Sequence, residues 1–121
     1  QEIYEHENLH VEVEENAACK VHMNESLANI LITNLLKNAM IHTPNEGSIT
    51  IRIQSTGISF TNSTDGNALD QSRLFTRFYQ ADNKKSDSTG LGLAIIQSIV
   101  HLYHFHISYS FDGKHQFDLR F

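Results

Sequence analysis

The sequence is poor in cysteine and in basic residues, and it contains no long apolar run. Cys19 is the only cysteine among 121 residues, so no disulfide can form within the chain, which suits a reducing compartment. Its 9 lysines and arginines are outnumbered by 14 aspartates and glutamates, and the net charge is −5. A nucleic-acid-binding surface needs a basic face, so we expect no nucleic acid among the partners. No apolar stretch reaches the roughly 20 residues of a membrane-spanning helix, and no secretory signal pattern is present.

Repeats, low-complexity tracts and obvious linkers are also missing, and the length suits one domain with one hydrophobic core. We therefore predict a single domain over residues 1–121. The chain begins with Gln1 rather than methionine, which favours a piece of a longer protein.

Alternation of apolar and polar residues predicts strands, and a helical period predicts helices. Asn24 is a candidate N-cap for the first long helix, and Pro44 ends that helix. The predicted elements in chain order are strands 10–15 and 17–22, a helix over 24–43, a hairpin of strands 48–55 and 57–62, a short helix over 68–80, a helix over 91–104, and a hairpin of strands 105–111 and 115–121. This order predicts an α/β two-layer sandwich, in which a mixed sheet of about five strands carries the two long helices and the short one on one face.

Two asparagines interrupt the apolar side of the first long helix. At about 100° per residue, Leu27, Ile30, Leu31 and Leu35 form one broad stripe, whereas Ser26, Asn29, Thr33 and Lys37 face water. Asn34 and Asn38 project from the middle of the stripe, and His42 follows one turn later. An unpaired amide buried there costs about 1–3 kcal/mol. The spacing therefore favours a polar pocket beneath the helix.

A simpler interpretation is that the backbone satisfies each asparagine within the core, and for one isolated asparagine we would favour it. Two amides in register with a histidine, in a chain with a glycine-rich loop elsewhere, favour a ligand instead. An amide oxygen is a suitable ligand for Mg²⁺, which prefers oxygen and keeps water and phosphate oxygens around it.

Three ordered motifs resemble a known family. The stretches "NLLKNAMIH" (Asn34–His42), "LFTRFYQ" (Leu74–Gln80) and "STGLGLAI" (Ser88–Ile95) are similar to the asparagine box, phenylalanine box and second glycine box of sensor histidine kinases. These boxes belong to the catalytic and ATP-binding domain, in the gyrase/Hsp90/MutL superfamily. The resemblance implies the Bergerat ATP-binding fold, with ATP and Mg²⁺ as cofactors.

The resemblance also assigns residues to the site. Asn38 matches the magnesium-binding asparagine, Asn34 the second pocket asparagine, and His42 a position near the phosphates. Gly90 and Gly92 match the glycines that let the backbone approach the triphosphate, where N–H groups at a helix start meet anionic oxygens. Phe75 and Phe78 match the aromatic residues that anchor the lid over the nucleotide. Plain core packing explains these two phenylalanines equally well.

Asn34 separates kinases from hydrolases within the superfamily. ATP-hydrolysing relatives such as gyrase resemble this helix but carry glutamate at that position, as a base for water. An amide cannot accept a proton, whereas a neutral imidazole is already a nucleophile. Asn34 therefore favours phosphoryl transfer to a histidine over hydrolysis.

The first glycine box departs from the family pattern. The family has an aspartate that accepts a hydrogen bond from the adenine amino group, and then two glycines at alternate positions. The matching residues here are Asn62, Thr64 and Gly66 in "NSTDG". Asn62 offers a neutral carbonyl oxygen to the amino group. Because charge-assisted bonds are roughly twice as strong as neutral ones, we expect Asn62→Asp to tighten ATP binding. A second departure is Ile41, where the family often has lysine or arginine.

The function that the resemblance implies is transfer of the ATP γ-phosphoryl group to a histidine. That histidine is absent from this chain and lies, in the family, on a helical hairpin upstream. The implied partners are the hairpin of the parent kinase and a response regulator. The parent is expected to be a homodimeric inner-membrane sensor, of which this chain is a C-terminal cytoplasmic part. The alternative is a degenerate relative that senses or scaffolds without turnover.

Three histidines in "HLYHFH", namely His101, His104 and His106, raise the question of zinc. No cysteine or carboxylate is near them in sequence, and histidines at helix ends commonly serve the helix dipole. We therefore favour the capping interpretation.

Overall fold

The computed structural model describes residues 9–64, 66, 68–69 and 92–121. Within these ranges the chain forms five strands and two helices. They are β1 His10–Glu15, α1 Glu25–Ile41, β2 Ser48–Gln54, β3 Gly57–Ser63, α2 Gly92–Tyr103, β4 His106–Phe111 and β5 Lys114–Arg120. Ala68 and Leu69 have irregular backbone, and the rest of the short helix predicted over 68–80 lies outside the described residues.

The strands form a single mixed sheet in the order β1-β2-β3-β5-β4. Strand β1 runs parallel to β2, and the other three pairings are antiparallel. Two of these pairings are the predicted hairpins, β2 with β3 and β4 with β5. The α/β fold and the mixed five-stranded sheet predicted from the sequence are therefore confirmed.

The predicted strand over 17–22 is wrong, because this segment has no regular structure. A hairpin with β1 would have required the chain to turn back at Asn16. Instead, the Asn16 N–H donates to the carbonyl of Ile53 at 2.8 Å, so the pairing with β2 continues past the end of β1. The chain then has to cross over, through α1, to enter β2 in the parallel direction.

The two faces of the sheet have different chemistry, as the register requires. One central row on the inner face joins Ile51, Phe60, Phe117 and Tyr109 across four strands. The outer face carries a polar row, in which Ser59 donates to Asp118 at 2.6 Å and Gln116 donates to the same carboxylate. Only the inner face is apolar, so the helices pack on that face, as expected for a two-layer sandwich.

Helix α1 begins and ends where the sequence indicates. The Asn24 side chain accepts a hydrogen bond from the Leu27 N–H at 3.0 Å, which confirms the predicted N-cap. The helix ends at Ile41, three residues before Pro44. Its buried residues are Leu31, Leu35 and Ala39. Ile30 is 41% exposed, so its predicted place in the buried stripe is wrong.

Helix α2 runs antiparallel to α1 and closes the core. The Asn24 N–H, at the start of α1, donates to the hydroxyl of Tyr103, at the end of α2. At the other end, Gly92 lies against the side chain of Asn34. The buried residues of α2 are Leu93, Ile96, Ile99 and Val100. This packing brings the C-terminal half of α1 and the first turn of α2 together.

Gly57 is the position where the sheet tolerates no side chain. It is buried at the start of β3, and a Cβ atom there would collide with the carbonyl oxygen of Leu119 on β5. Overpacking a core typically costs about 1–3 kcal/mol. We expect Gly57→Ala to lower the free energy of unfolding by that amount in urea denaturation. Thr56→Ala, at the exposed neighbouring position, is the control and should change it little. An unchanged urea midpoint for Gly57→Ala would show that β3 and β5 can move apart to admit the methyl group without loss of stability.

Candidate functional site

Asn34 lies one turn before Asn38 on α1, and both are partly buried. The Asn34 Nδ2 donates to the carbonyl of Ile30 at 2.8 Å, so the backbone satisfies its amide nitrogen. Its Oδ1 is directed towards the first turn of α2, because a Cβ atom added at Gly92 would lie 3.4 Å from it. The simpler interpretation, satisfaction by backbone, thus holds for the nitrogen of Asn34. The absence of a side chain at Gly92 keeps the space beside the oxygen open.

Asn38 differs from Asn34 in the state of its amide. Its Nδ2 is buried and has no hydrogen-bond partner among the described residues. Only three side-chain atoms in the described part of the chain are buried and unpaired, and they belong to Asn38, Asn62 and Gln97. Native structures contain few such atoms, and each calls for an explanation. Backbone satisfaction does not explain Asn38.

Asn62 joins the end of β3 to the end of α1. Its side chain is 1% exposed. The Nδ2 donates to the carbonyl of His42 at 3.3 Å and to that of Ser63 at 3.2 Å. Two carbonyl acceptors fix the orientation of the amide, since its oxygen cannot take their place. The Oδ1 is therefore held as an acceptor, and no donor reaches it from the residues that the structure describes.

The residues after β3 form a small polar turn. The Gly66 N–H donates to the Oγ1 of Thr64 at 3.0 Å, and Gly66 is exposed. A Cβ atom at Gly66 would meet that oxygen at 3.6 Å, which is an ordinary contact. Contacts with the described residues therefore do not require a glycine here, and a local bond joins Thr64 to Gly66.

His115 is a buried polar residue that the sequence analysis missed. It is 3% exposed and lies opposite Asn62 in the pairing of β5 with β3. Its ring forms a T-shaped contact with that of His42, with 5.9 Å between the ring centroids. Burial lowers the pKa of its imidazole below the ordinary value of 6.5. The alternation of β5 puts His115 on the same face as the buried Phe117 and Leu119. The pattern that revealed the asparagines of α1 would have revealed it too.

The structure brings five of the predicted site residues to one end of the fold. Asn34, Asn38 and His42 follow each other along α1, Asn62 is bonded to the carbonyl of His42, and Gly92 starts α2 beside Asn34. Gly66 follows on the turn after β3. Gly90 and the predicted lid anchors Phe75 and Phe78 lie outside the described residues. The roles given to all these residues remain predictions.

The site residues present fit a nucleotide and its metal ion in two respects. The Asn62 Oδ1 is a buried acceptor to which none of the described residues donates. The amino group of a nucleotide base is a donor that could bond to it. Asn38 is only partly buried, and its amide oxygen is of the hard type that Mg²⁺ prefers. No group of three or more histidine, cysteine or carboxylate ligands occurs in residues 9–64, 66, 68–69 and 92–121. A metal ion at this end would therefore depend on amide oxygens such as that of Asn38 and on oxygens of the nucleotide and water.

Comparison with known proteins shows the family of the chain. Residues 23–121 match the family described as histidine kinase-, DNA gyrase B- and HSP90-like ATPases. The heme sensor protein HssS of Staphylococcus epidermidis is 42% identical over 98 residues, which cover 78% of this chain and 22% of that protein. HssS of Staphylococcus aureus is 42% identical over 86 residues, covering 67% and 19%.

Solved structures show the same fold at lower identity. The catalytic domain of the histidine kinase ThkA superposes with a TM-score of 0.77 at 22% identity, covering 98% of this chain and 81% of that one. The mycobacterial sensor histidine kinase MprB gives 0.75 at 18% identity, covering 98% and 85%.

The chain therefore belongs to the family of histidine kinase-, DNA gyrase B- and HSP90-like ATPases. It spans about a fifth of the length of the curated relatives that it matches. None of the described helices has the length and apolar character needed to cross a membrane.

The contacts of Asn62 change the expectation for Asn62→Asp. The substitution replaces a donor by an oxygen that faces the carbonyls of His42 and Ser63. We now expect it to lower the free energy of unfolding at pH 7 by about 1–3 kcal/mol, and not to tighten ATP binding. The pKa of the introduced carboxyl should be raised, because its protonated form can donate one of the lost bonds.

The loss should therefore be largest at high pH and shrink as the pH falls through that raised pKa. Urea denaturation at pH 5 and pH 7 measures it. Asn29→Asp, on the exposed side of α1, is the matched control. A variant as stable as the unchanged chain at pH 7 would contradict the bonding described for Asn62.

Proposed function

We propose that this chain binds Mg²⁺-ATP between α1, β3 and α2 and donates the γ-phosphoryl group to a histidine on a helical hairpin of its parent protein. The observation that supports this most is the position of the unpaired amide atoms. Two of the three buried, unpaired side-chain atoms in the described residues belong to Asn38 and Asn62, at the same end of the fold. They are the residues that the family resemblance assigns to the metal and to the base.

Asn62 would hold the base end of the nucleotide. Its Oδ1 accepts one hydrogen bond from an exocyclic amino group, while its two donor bonds to backbone carbonyls keep that oxygen oriented before the ligand arrives. Pre-orientation of this kind reduces the ordering cost of binding. The bond is neutral, and is worth about 0.5–1.5 kcal/mol net.

Asn38 and Asn34 would act at the phosphate end. Mg²⁺, when bound, would neutralise phosphate charge and orient the transferred group, and the Asn38 oxygen is the side-chain ligand offered to it. Asn34 cannot accept a proton, because its nitrogen already donates to Ile30 and an amide oxygen is a very weak base. Water is therefore not activated by Asn34. A neutral imidazole needs no such base, since its nitrogen attacks the γ-phosphorus as the bond to the β-phosphate oxygen breaks.

The partners follow from the class of protein. We propose the phosphoacceptor hairpin of the parent kinase and a response regulator as successive receivers of the phosphoryl group. We further propose that the parent is a homodimeric membrane sensor, with this domain on its cytoplasmic side. The word heme in the names of the HssS relatives describes whole proteins, of which about a fifth matches this chain.

Asn38→Ala is the substitution that tests the proposal. It removes the oxygen offered to the metal, so we expect affinity for ATP in the presence of Mg²⁺ to fall about 10–100-fold, the equivalent of ~1.4–2.8 kcal/mol. It also removes a buried nitrogen that makes no hydrogen bond with the described residues, so the free energy of unfolding should not fall.

Calorimetric titration with ATP, with and without Mg²⁺, measures the first effect, and urea denaturation measures the second. Asn29→Ala on the same helix is the matched control, because Asn29 is exposed on the opposite side. If the substitution leaves binding in Mg²⁺ unchanged, Asn38 is a structural amide. If the unchanged chain binds no ATP, the degenerate scaffold is the better function.

A further inference from the structure

A chain of two hydrogen bonds runs from His115 to the backbone beyond Gly66. The hydroxyl of Tyr109 lies 2.7 Å from the Nδ1 of His115, and the same hydroxyl accepts from the Leu69 N–H at 2.9 Å. All three residues are buried. Tyr109 is on β4 and His115 is on β5, whereas Leu69 belongs to the segment that leaves β3 through Thr64 and Gly66.

This chain of bonds anchors the far end of the stretch that the nucleotide would meet. Asn62 fixes the near end of that stretch, through its bond to the carbonyl of His42. Leu69 fixes the far end, through Tyr109. His115 is adjacent to both anchors, since it lies opposite Asn62 in the sheet and bonds to Tyr109. One buried imidazole is therefore adjacent to the residues that hold Asn62 and Leu69 in place.

The protonation state of His115 decides the direction of its bond. A neutral imidazole with its proton on Nε2 presents Nδ1 as an acceptor, so the Tyr109 hydroxyl donates to it while accepting from Leu69. A protonated imidazole presents a donor at Nδ1. The Tyr109 hydroxyl can then no longer donate to His115, and two N–H donors converge on its oxygen. Burial of His115 favours the neutral state.

No charged group among the described residues that pack against His115 offsets this preference. From the end of α1 it meets His42, from β3 the neutral Asn62, and from β4 Tyr109 and Phe111. His42 and Tyr109 are the titratable members of this set. Along β5, the preceding Lys114 is exposed.

We propose that His115 is a positioning residue of the nucleotide site, which acts through Tyr109 on the backbone of Leu69, and that ATP affinity falls when His115 takes up a proton. The inference rests on the proposed function, because it assumes that the turn after β3 meets the nucleotide. It adds a residue of β5, next to Asn62 and His42, that none of the three sequence motifs contains.

The first test is the ATP affinity of the 121-residue chain in Mg²⁺ between pH 5.5 and pH 8, by calorimetry. His115→Asn is the conservative variant, because its Oδ1 takes the place of Nδ1 as an acceptor and does not titrate. Its smaller side chain costs affinity equally at every pH. Ionisation of ATP and of His42 affects both proteins, so the readout is the ratio of the two affinities.

We expect the unchanged chain to lose affinity relative to His115→Asn as the pH falls, by up to about tenfold per unit below the pKa of His115. Tyr109→Phe removes both hydrogen bonds of the hydroxyl, and we expect the loss of the one that anchors Leu69 to weaken binding about threefold to tenfold at pH 8. Its profile should be parallel to that of His115→Asn. His101→Asn, at an exposed position on α2, should follow the unchanged chain. Parallel profiles for the unchanged chain and His115→Asn would overturn the inference.

A second test needs neither a variant nor ATP. In the nucleotide-free chain, NMR should show the Leu69 amide signal moving with the titration of the His115 imidazole, while the amide of the exposed Thr56 stays in place. A Leu69 amide that ignores this titration overturns the inference, whatever ATP does. Coupling of the two signals in a chain that binds no ATP at any pH would instead refute the proposed function, and the relay would be structural only.

Discussion

The hydrogen bond from the Asn62 amide to the carbonyl of His42 is the contact on which the geometry of the site depends. It joins the C-terminal end of α1 to the end of β3, which are 20 residues apart in the chain. The carbonyls at a helix end lack partners within the helix, so the bond satisfies a group that the fold would otherwise leave to water. Since Asn34, Asn38 and His42 all lie along the last turns of α1, their position relative to the strand follows from this bond. The packing of Gly92 against Asn34 then brings α2 to the same place.

The sequence predicts those parts of the fold that local chemistry decides. Asn24 and Pro44 mark the ends of α1, and the alternation in β2, β3, β4 and β5 is regular enough to give both hairpins. The segment 17–22 alternates like a strand, but its conformation depends on β2, which is distant in sequence. The Ile53 carbonyl of β2 continues to pair with the chain beyond the end of β1. Parallel pairing across a helical crossover leaves no local signal. For the same reason, Ile30 cannot be excluded from the buried stripe until the position of the neighbouring helix is known.

The candidate site also combines features that local sequence predicts with features that depend on distant partners. Polar residues on an apolar helical face, such as Asn34 and Asn38, can be recognised by periodicity, and their family motif adds the ligand. Periodicity does not reveal which hydrogen bonds each amide forms. The Asn34 Nδ2 donates to a backbone carbonyl of the preceding turn of its own helix, and the Asn38 Nδ2 has no partner among the described residues. The Asn62 Nδ2 donates to two backbone carbonyls. Three identical side chains therefore have three different hydrogen-bonding states, set by partners that are distant in sequence. At position 62 the neighbouring carbonyls accept from the amide nitrogen, so we expect an aspartate there to lose both of these bonds.

Unpaired amide atoms at one end of the fold couple folding to binding. A buried polar atom without a partner costs about 1–3 kcal/mol, which is a large share of the 5–15 kcal/mol that typically stabilises a whole domain. The Asn38 Nδ2 and the Asn62 Oδ1 carry this cost in the absence of a ligand. A ligand that supplies an acceptor to the first and a donor to the second removes it, and binding then stabilises the folded chain beyond the contacts it makes with open surface. The core of Leu31, Leu35, Phe60 and Phe117 is fully enclosed and needs no such help. The fold thus separates a self-sufficient apolar centre from a polar end where two buried amide atoms lack partners among the described residues.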